Sequence, residues 1–120
     1  MTDTTTLVDQ YVAIWNERDA EQRAAMIAET WTEDAAYLDP LMSSSSAAEI
    51  DAMIEGAQLQ FPHHEIRKLG AVDAHNDRVR FSWELVNVDD GTRLLAGTDF
   101  ATVAEDGRLS EVTGFLDSEK

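Results

Sequence analysis

Apolar residues recur every three or four positions through the first half of the chain, which is the spacing of amphipathic helices. The first apolar stripe predicts a helix over about residues 6–17 and is formed by Leu7, Val8, Tyr11, Val12, Ile14 and Trp15. The buried side of a second predicted helix is formed by Ala24, Ile27 and Trp31. The third stripe consists of Ile50, Met53, Ile54 and Ala57. This last helix is expected to stop at Pro62, whose nitrogen has no hydrogen to donate.

Polar residues mark where the second and third helices begin. Asp19 is followed three positions later by Gln22, and Ser46 is followed in the same way by Glu49. A short polar side chain paired with Glu or Gln three residues further on is the capping-box pattern of a helix amino terminus. The serine run at 43–46 is therefore predicted to be a loop that ends in a helix cap.

The second half of the chain alternates between apolar and polar residues, as a half-buried strand does. The clearest apolar face is formed by Val79, Phe81, Trp83 and Leu85. Turn signals at 75–77, 90–91 and 106–107 predict antiparallel strands over about residues 64–74, 78–88, 93–104 and 108–116. A further short strand is expected at 36–38. The pattern predicts one α+β domain over residues 1–120, in which three helices pack on a curved antiparallel sheet of four or five strands.

The composition of the chain excludes several classes of partner. The 120 residues include 24 Asp and Glu against 9 Lys and Arg, for a net charge of −15. Such a charge repels phosphate groups, so nucleic acids and anionic membranes are not expected partners. There is no cysteine, no apolar run of membrane-spanning length and no secretion signal at the first residues, so we expect a cytoplasmic protein.

Neither a metal ion nor a cofactor is expected from the sequence motifs. His63 and His64 are adjacent, so on a strand they point to opposite faces, and His75 falls in a predicted turn. The chain also has no glycine-rich phosphate loop and no nucleophile elbow.

Three polar residues in apolar surroundings are the candidates for chemistry. Both faces of the strand that carries Asp99 are largely apolar, so its carboxyl group is expected to be desolvated and must be paired, protonated or directed into a cavity. Asp39 precedes Pro40, which holds it extended at a corner of the chain. Tyr11 lies on the first apolar stripe. Each also fits a structural role, as a capping or dimer-facing Asp99, a turn-forming Asp39 and a core Tyr11.

In their order along the chain these residues resemble the NTF2-like superfamily, which includes SnoaL-like and ketosteroid-isomerase-like proteins. The resemblance covers nearly the whole chain and rests on Tyr11–Ala13 followed by Asp19, on Thr32–Pro40, and on Gly97–Asp99 followed by Glu105–Leu109. It implies a cone-shaped fold and a homodimer. The dimer would bury apolar residues of the outer sheet face such as Phe100 or Phe115.

Within the superfamily, the residues are most similar to those of ketosteroid isomerases. That resemblance implies Asp39 as the catalytic base and Tyr11 and Asp99 as hydrogen-bond donors of an oxyanion hole, with Asp99 protonated. The implied activity is a cofactor-free isomerase or cyclase that removes a proton next to the carbonyl of a small hydrophobic compound. The residues expected to contact this ligand are Trp83, Phe81, Trp15, Trp31, His64 and Phe61.

Other activities of the same scaffold remain as alternatives. The main alternative is a non-catalytic module for ligand binding or dimerisation. A dehydratase would need a histidine in the pocket, and only His63 or His64 could supply it. An epoxide hydrolase is disfavoured, because Gly97, two positions before Asp99, cannot replace the arginine that such enzymes place close to their carboxylates.

Overall fold

The computed structural model describes residues 3–117 as a layer of helices on a six-stranded sheet. The helices of this part of the chain are α1 (Thr4–Asn16), α2 (Ala20–Thr30) and α3 (Ala47–Gln60). The strands are β1 (Trp31–Leu38), β2 (Ser43–Ser44), β3 (His64–His75), β4 (Arg78–Asn87), β5 (Arg93–Val103) and β6 (Leu109–Leu116). Their order in the sheet is β2-β1-β6-β5-β4-β3. The predicted α+β class and its three helices are confirmed.

The helix caps form where the sequence predicts them. The Asp19 carboxylate accepts a hydrogen bond from the backbone nitrogen of Glu21 at 3.3 Å, and α2 begins at the next residue. The Ser46 hydroxyl accepts one from the backbone nitrogen of Glu49 at 3.2 Å, at the start of α3. That helix ends at Gln60, two residues before Pro62. Local capping chemistry thus sets the bounds of α2 and α3.

The prediction that Trp31 belongs to the second helix is wrong. Trp31 has extended backbone angles, φ −114° and ψ 146°, and it is the first residue of β1. Its position four residues after Ile27 fits a helical stripe. As the first residue of β1, however, Trp31 is buried in the same core as Ile27 without being helical. The short strand expected at 36–38 is therefore the end of a strand of eight residues.

The sheet is mixed rather than antiparallel, and it has six strands instead of the predicted four or five. Strands β3 to β6 pair antiparallel through short turns, as predicted. However, β1 lies parallel to β6, with Tyr37 opposite Val112. The first half of the serine run, which was predicted to be a loop, forms β2 on the other side of β1. No turn connects β1 to β6, so no local sequence signal could indicate how they pair.

Curvature of the sheet and the position of α1 create the space for a site. The pairing of β3 with β4 shifts register between Leu69 and Asp73, where Gly70 has φ 72°. Such bulges bend a strand and increase its twist. The Asn16 side chain joins the end of α1 to β3, because it donates to the carbonyl of Ile66 and accepts from its nitrogen, at 2.9 and 2.8 Å. None of the described helices is long and apolar enough to cross a membrane.

Candidate active site

A cavity of about 370 Å³ lies between the helices and the sheet. This volume is within the range of about 300–1,000 Å³ that is typical of small-molecule sites. The wall is largely apolar and combines residues of α1, α3, β1 and β3 to β6 with the loop after β1. Asp39, Asp99, Tyr11 and Tyr37 are among the residues of this wall. Two acids and two phenols therefore border a cavity that is otherwise largely apolar.

Asp99 is on the inner face of β5, with 2% of its surface exposed. The Tyr11 hydroxyl donates to Oδ2 at 2.7 Å, and the Trp83 indole nitrogen donates to Oδ1 at 2.9 Å. Trp83 reaches it from the neighbouring strand, where its backbone is opposite Gly97. Asp99 is thus both paired and next to a cavity, two of the three conditions under which a buried carboxyl group is tolerated.

Burial sets the acidity of both partners in the Tyr11–Asp99 pair. It raises the pKa of Asp99 to about 6, although the hydrogen bonds from Tyr11 and Trp83 act in the opposite direction, and the charge of Asp39 adds to the rise. The pKa of Tyr11 is raised well above its usual value of 10, first by burial and then by the Asp99 charge. Tyr11 therefore keeps its proton, while Asp99 changes protonation state in mildly acidic solution.

Asp39 forms the corner that Pro40 predicts. Its Oδ1 atom accepts hydrogen bonds from the backbone nitrogens of Leu41 and Met42, both at 2.8 Å, and its own nitrogen donates to the Met42 carbonyl at 2.9 Å. The Tyr37 hydroxyl donates to Oδ2 at 2.6 Å. The carboxylate consequently orders the loop at the edge of the cavity and is held from two sides.

Two glycines leave the space that these side chains occupy. A Cβ atom on Gly114 of β6 would lie 2.8 Å from Oδ1 of Asp99 and 3.2 Å from Cβ of Asp39. A Cβ atom on Gly97 of β5 would lie 2.6 Å from Cζ2 of Trp83. The distances to Asp99 and to Trp83 are both too short for a normal contact. The absence of a side chain at 97 and 114 therefore lets the two carboxyl groups and the indole ring approach each other.

Comparison with known proteins places the chain in a family. The sequence model of the SnoaL-like domain matches residues 8–112. The chain belongs to the SnoaL-like family. Its fold is that of the wider NTF2-like group, as the resemblance in the sequence implied.

Solved structures agree with this assignment over the whole described chain. A candidate isomerase of the SnoaL-like family from Agrobacterium tumefaciens is 39% identical, with a TM-score of 0.92 over 98% of this chain and 100% of that protein. A candidate polyketide cyclase from Sinorhizobium meliloti, 16% identical, gives a TM-score of 0.71 over 91% of this chain and 93% of that one. At such low identity the second comparison shows the fold alone. Curated protein sequences gave no match.

Most of the predicted site residues of this SnoaL-like chain border the cavity. Those that do are Tyr11, Asp39, Asp99, Trp15, Trp83, Phe61 and His64. Phe61 and His64 contact each other edge to face, with ring centroids 5.7 Å apart. The alternative histidine, His63, has 70% of its side chain exposed. A dehydratase of this chain would thus have only His64 to use as an acid or base.

Two residues predicted to contact the ligand do not border the cavity. Trp31 and Phe81 are 1% and 3% exposed, and both pack against the ring of Tyr11, with centroid distances of 5.7 and 5.3 Å. Phe81 shares a strand face with Trp83, but it is opposite Asp99 and lies behind Tyr11. Both aromatic rings thus pack against Tyr11 from the core side and do not line the cavity.

Sequence reasoning missed Tyr37, whose hydroxyl contacts Asp39. The signal for it is present in the sequence, since residues two apart on a strand point to the same face. Because Asp39 directly follows β1, the side chain of Tyr37, two positions earlier, is expected on the same face of the sheet as that of Asp39. The contributions of Leu41, Leu95 and Leu116 to the wall carried no such signal, because they depend on how distant segments meet.

Proposed function

We propose that this SnoaL-like protein is a cofactor-free acid–base catalyst, an isomerase or cyclase that acts on a small hydrophobic carbonyl compound. The observation that carries the proposal is that Asp39 and the Tyr11–Asp99 pair border one apolar cavity. A hydrophobic ligand in that cavity would be close to both a base and hydrogen-bond donors. The relative from Agrobacterium tumefaciens, named as a candidate isomerase, supports the same class of reaction.

The first step is removal of a proton from the carbon next to the carbonyl. The Asp39 carboxylate accepts this proton, and the electron pair of the C–H bond moves into the carbonyl group to give an enolate. The enolate oxygen accepts a hydrogen bond from the Tyr11 hydroxyl when Asp99 is protonated, since Tyr11 otherwise donates its one hydroxyl hydrogen to Asp99. Donors already held in place in a water-poor site stabilise such a developing charge strongly, since they need no reorganisation.

The second step returns the proton and regenerates the carboxylate. In an isomerase, protonated Asp39 gives the proton to the γ-carbon of a dienolate, which turns an unconjugated enone into a conjugated one. In a cyclase, the enolate carbon attacks a second carbonyl of the same molecule, and the new alkoxide takes the proton. Both routes leave the protein unchanged and consume no further reagent.

Asp99 assists only in its protonated form. A neutral Asp99 donates through its own O–H group, either to the enolate oxygen or to Tyr11, which then donates to the enolate. Its pKa of about 6 makes this form accessible at mildly acidic pH. An apolar ligand that expels water from the cavity would raise this pKa further, because desolvation disfavours the charged form.

Isomerisation of β,γ-cyclohexenone to its conjugated isomer, followed by ultraviolet absorbance, tests the proposed function. We expect Asp39→Asn to lower kcat by about a hundredfold or more, the usual contribution of a general base. Asp34→Asn is the matched control, since Asp34 is an exposed carboxylate of β1, the strand that precedes Asp39, and it should retain wild-type turnover. Equal turnover by wild type and Asp39→Asn would contradict the proposal.

A binding measurement with the same proteins separates catalysis from simple ligand binding. Trp15 and Trp83 border the cavity, so quenching of tryptophan fluorescence by β-tetralone reports its occupancy. Binding without any turnover of β,γ-cyclohexenone would favour the non-catalytic module over the enzyme.

A further inference from the structure

We propose that Tyr37 is the positioning residue of the base, and that Oδ2 of Asp39 is the atom that accepts the substrate proton. This inference rests on the proposed function, because it assigns a task to one side chain of that reaction. Its basis is the set of hydrogen bonds around the Asp39 carboxylate, in which the two oxygens are bonded unequally.

The hydrogen bonds leave only one oxygen of Asp39 with free capacity. Each carboxylate oxygen can accept about two hydrogen bonds through its lone pairs. Oδ1 already accepts two, from the backbone nitrogens of Leu41 and Met42. Oδ2 accepts one within the described part of the chain, from Tyr37. A substrate proton therefore has to be accepted by the remaining lone pair of Oδ2.

Tyr37 is fixed well enough to orient that lone pair. It has 4% of its surface exposed, and its ring lies 5.8 Å from that of Trp15 between centroids. On the other side its hydroxyl oxygen lies 3.6 Å from the point where a Cβ of Gly114 would be. Burial raises the pKa of Tyr37 far above its usual value of 10, so the hydroxyl keeps its proton and always acts as a donor to Asp39.

The other titratable groups around Asp39 do not duplicate this contact. Tyr11 on α1 and Asp99 on β5 are bonded to each other at 2.7 Å, and β6 presents Gly114, which has no side chain. The loop after β1 offers only the backbone nitrogens of Leu41 and Met42. Among the described residues, the Tyr37 hydroxyl is thus the one side-chain donor to the reacting oxygen.

Removal of the Tyr37 hydroxyl should change turnover more than binding. In Tyr37→Phe the carboxylate keeps its two backbone hydrogen bonds at Oδ1, but Oδ2 loses its donor and is no longer held in place. A displacement of about 1 Å in a reacting group costs up to about a hundredfold in rate. We expect kcat for β,γ-cyclohexenone to fall between about tenfold and a hundredfold, with KM changed by less than about twofold.

The test compares Tyr37→Phe with Asp39→Asn and with a control. Thr98→Val removes a half-buried hydroxyl from the outer face of β5, next to Asp99 in sequence, and should leave kcat and KM unchanged. A Tyr37→Phe protein with wild-type kcat would overturn the inference, while the loss of turnover in Asp39→Asn upholds the proposed function.

Carbon-13 NMR of the Asp39 carboxyl group gives a readout that needs no substrate. Its chemical shift should change in Tyr37→Phe and stay unchanged in Thr98→Val, because only the first loses a hydrogen-bond donor to this group. An identical chemical shift in wild type and Tyr37→Phe would overturn the inference even if the enzyme were inactive on the chosen enone.

Discussion

At the scale of single residues, the burial of Asp99 disfavours the ionised form of its carboxyl group and so lowers the free energy of unfolding at neutral pH. Asp99 is buried among apolar residues, and its pKa of about 6 means that the folded protein binds its proton more tightly than the unfolded chain does. Asp99 therefore favours folding most below about pH 4, and this contribution is lost as the pH rises to about 6. Above that pH the ionised group reduces the free energy of unfolding.

Replacement of Asp99 by Asn should stabilise the protein in a pH-dependent way. Asparagine keeps one carbonyl oxygen for the donors but cannot ionise. From the shift between about 3.8 and 6, we expect Asp99→Asn to raise the free energy of unfolding at about pH 8 by about 1–3 kcal/mol. Denaturant unfolding at about pH 5 and pH 8 measures the effect. A difference from wild type that is the same at both pH values would contradict the account.

The sequence alone indicated which residues to examine, but only part of how they meet. Asp39 and Tyr11 have local signals, the following proline and the helical stripe, and Asp99 is conspicuous because its surroundings are apolar. The bond from Trp83 to Asp99 has no local signal, since it depends on a register that sets Trp83 opposite Gly97. Trp31 and Phe81, which the sequence predicted to contact a ligand, lie in the core and do not border the cavity, because apolar patterning cannot separate a core wall from a cavity wall.

At the scale of secondary-structure elements, β6 determines how closely β1 and β5 bring their carboxylates together. It lies between these two strands in the sheet, and Gly114 pairs with Asp99 across the ladder. Tyr37 of β1 is opposite Val112, two positions before Gly114, and its hydroxyl oxygen lies 3.6 Å from the point where a Cβ of Gly114 would be. Any side chain at 114 would occupy the space between the two acids.

Gly114→Ala should therefore damage both stability and activity. The added Cβ meets Oδ1 of Asp99 at 2.8 Å, and we expect a loss of about 1–3 kcal/mol in unfolding free energy, as in other overpacked sites. Turnover should fall with it. Gly56→Ala on α3 is the matched control, since nothing lies within 4 Å of its added Cβ, and it should stabilise by about 0.5–1 kcal/mol. A Gly114→Ala protein with wild-type stability and turnover would contradict this role.

The elements themselves were predictable wherever a local signal defined them. Capping residues fixed α2 and α3. The hairpin turns of β3 to β6 contain a residue with positive φ, which is Asn76 in the first turn, Gly91 in the second and Gly107 in the third. The parallel pairing of β1 with β6 and the short β2 were not predictable, because both depend on contacts between segments distant along the chain. These long-range pairings are also the ones that bring Asp39 to the cavity.

At the scale of the whole molecule, the outer face of the sheet has an apolar patch. Phe100 and Phe115 are 45% and 54% exposed and contact each other edge to face, with centroids 5.7 Å apart. Leu94 of β5 is also exposed on this face. Contiguous exposed apolar side chains of this kind mark interaction surfaces. We propose that a second copy of the chain covers the patch.

Sedimentation of the wild type and of a Phe100→Glu, Phe115→Glu double variant tests this pairing. We expect wild type to sediment as a dimer and the double variant as a monomer, since a charge in the apolar centre of an interface is costly. Leu59→Glu is the control, because Leu59 is 77% exposed on α3, and it should remain dimeric. A wild type that stays monomeric at all concentrations, or a dimeric double variant, would contradict the pairing.

The account as a whole depends on proton removal from a ketone by Asp39 inside the cavity. Exchange of the α-protons of β-tetralone in D₂O, followed by proton NMR, measures that step without requiring the natural substrate or any rearrangement. We predict that wild-type protein accelerates exchange well above buffer and that Asp39→Asn does so about a hundredfold less. Exchange at the same rate with both proteins would contradict the account.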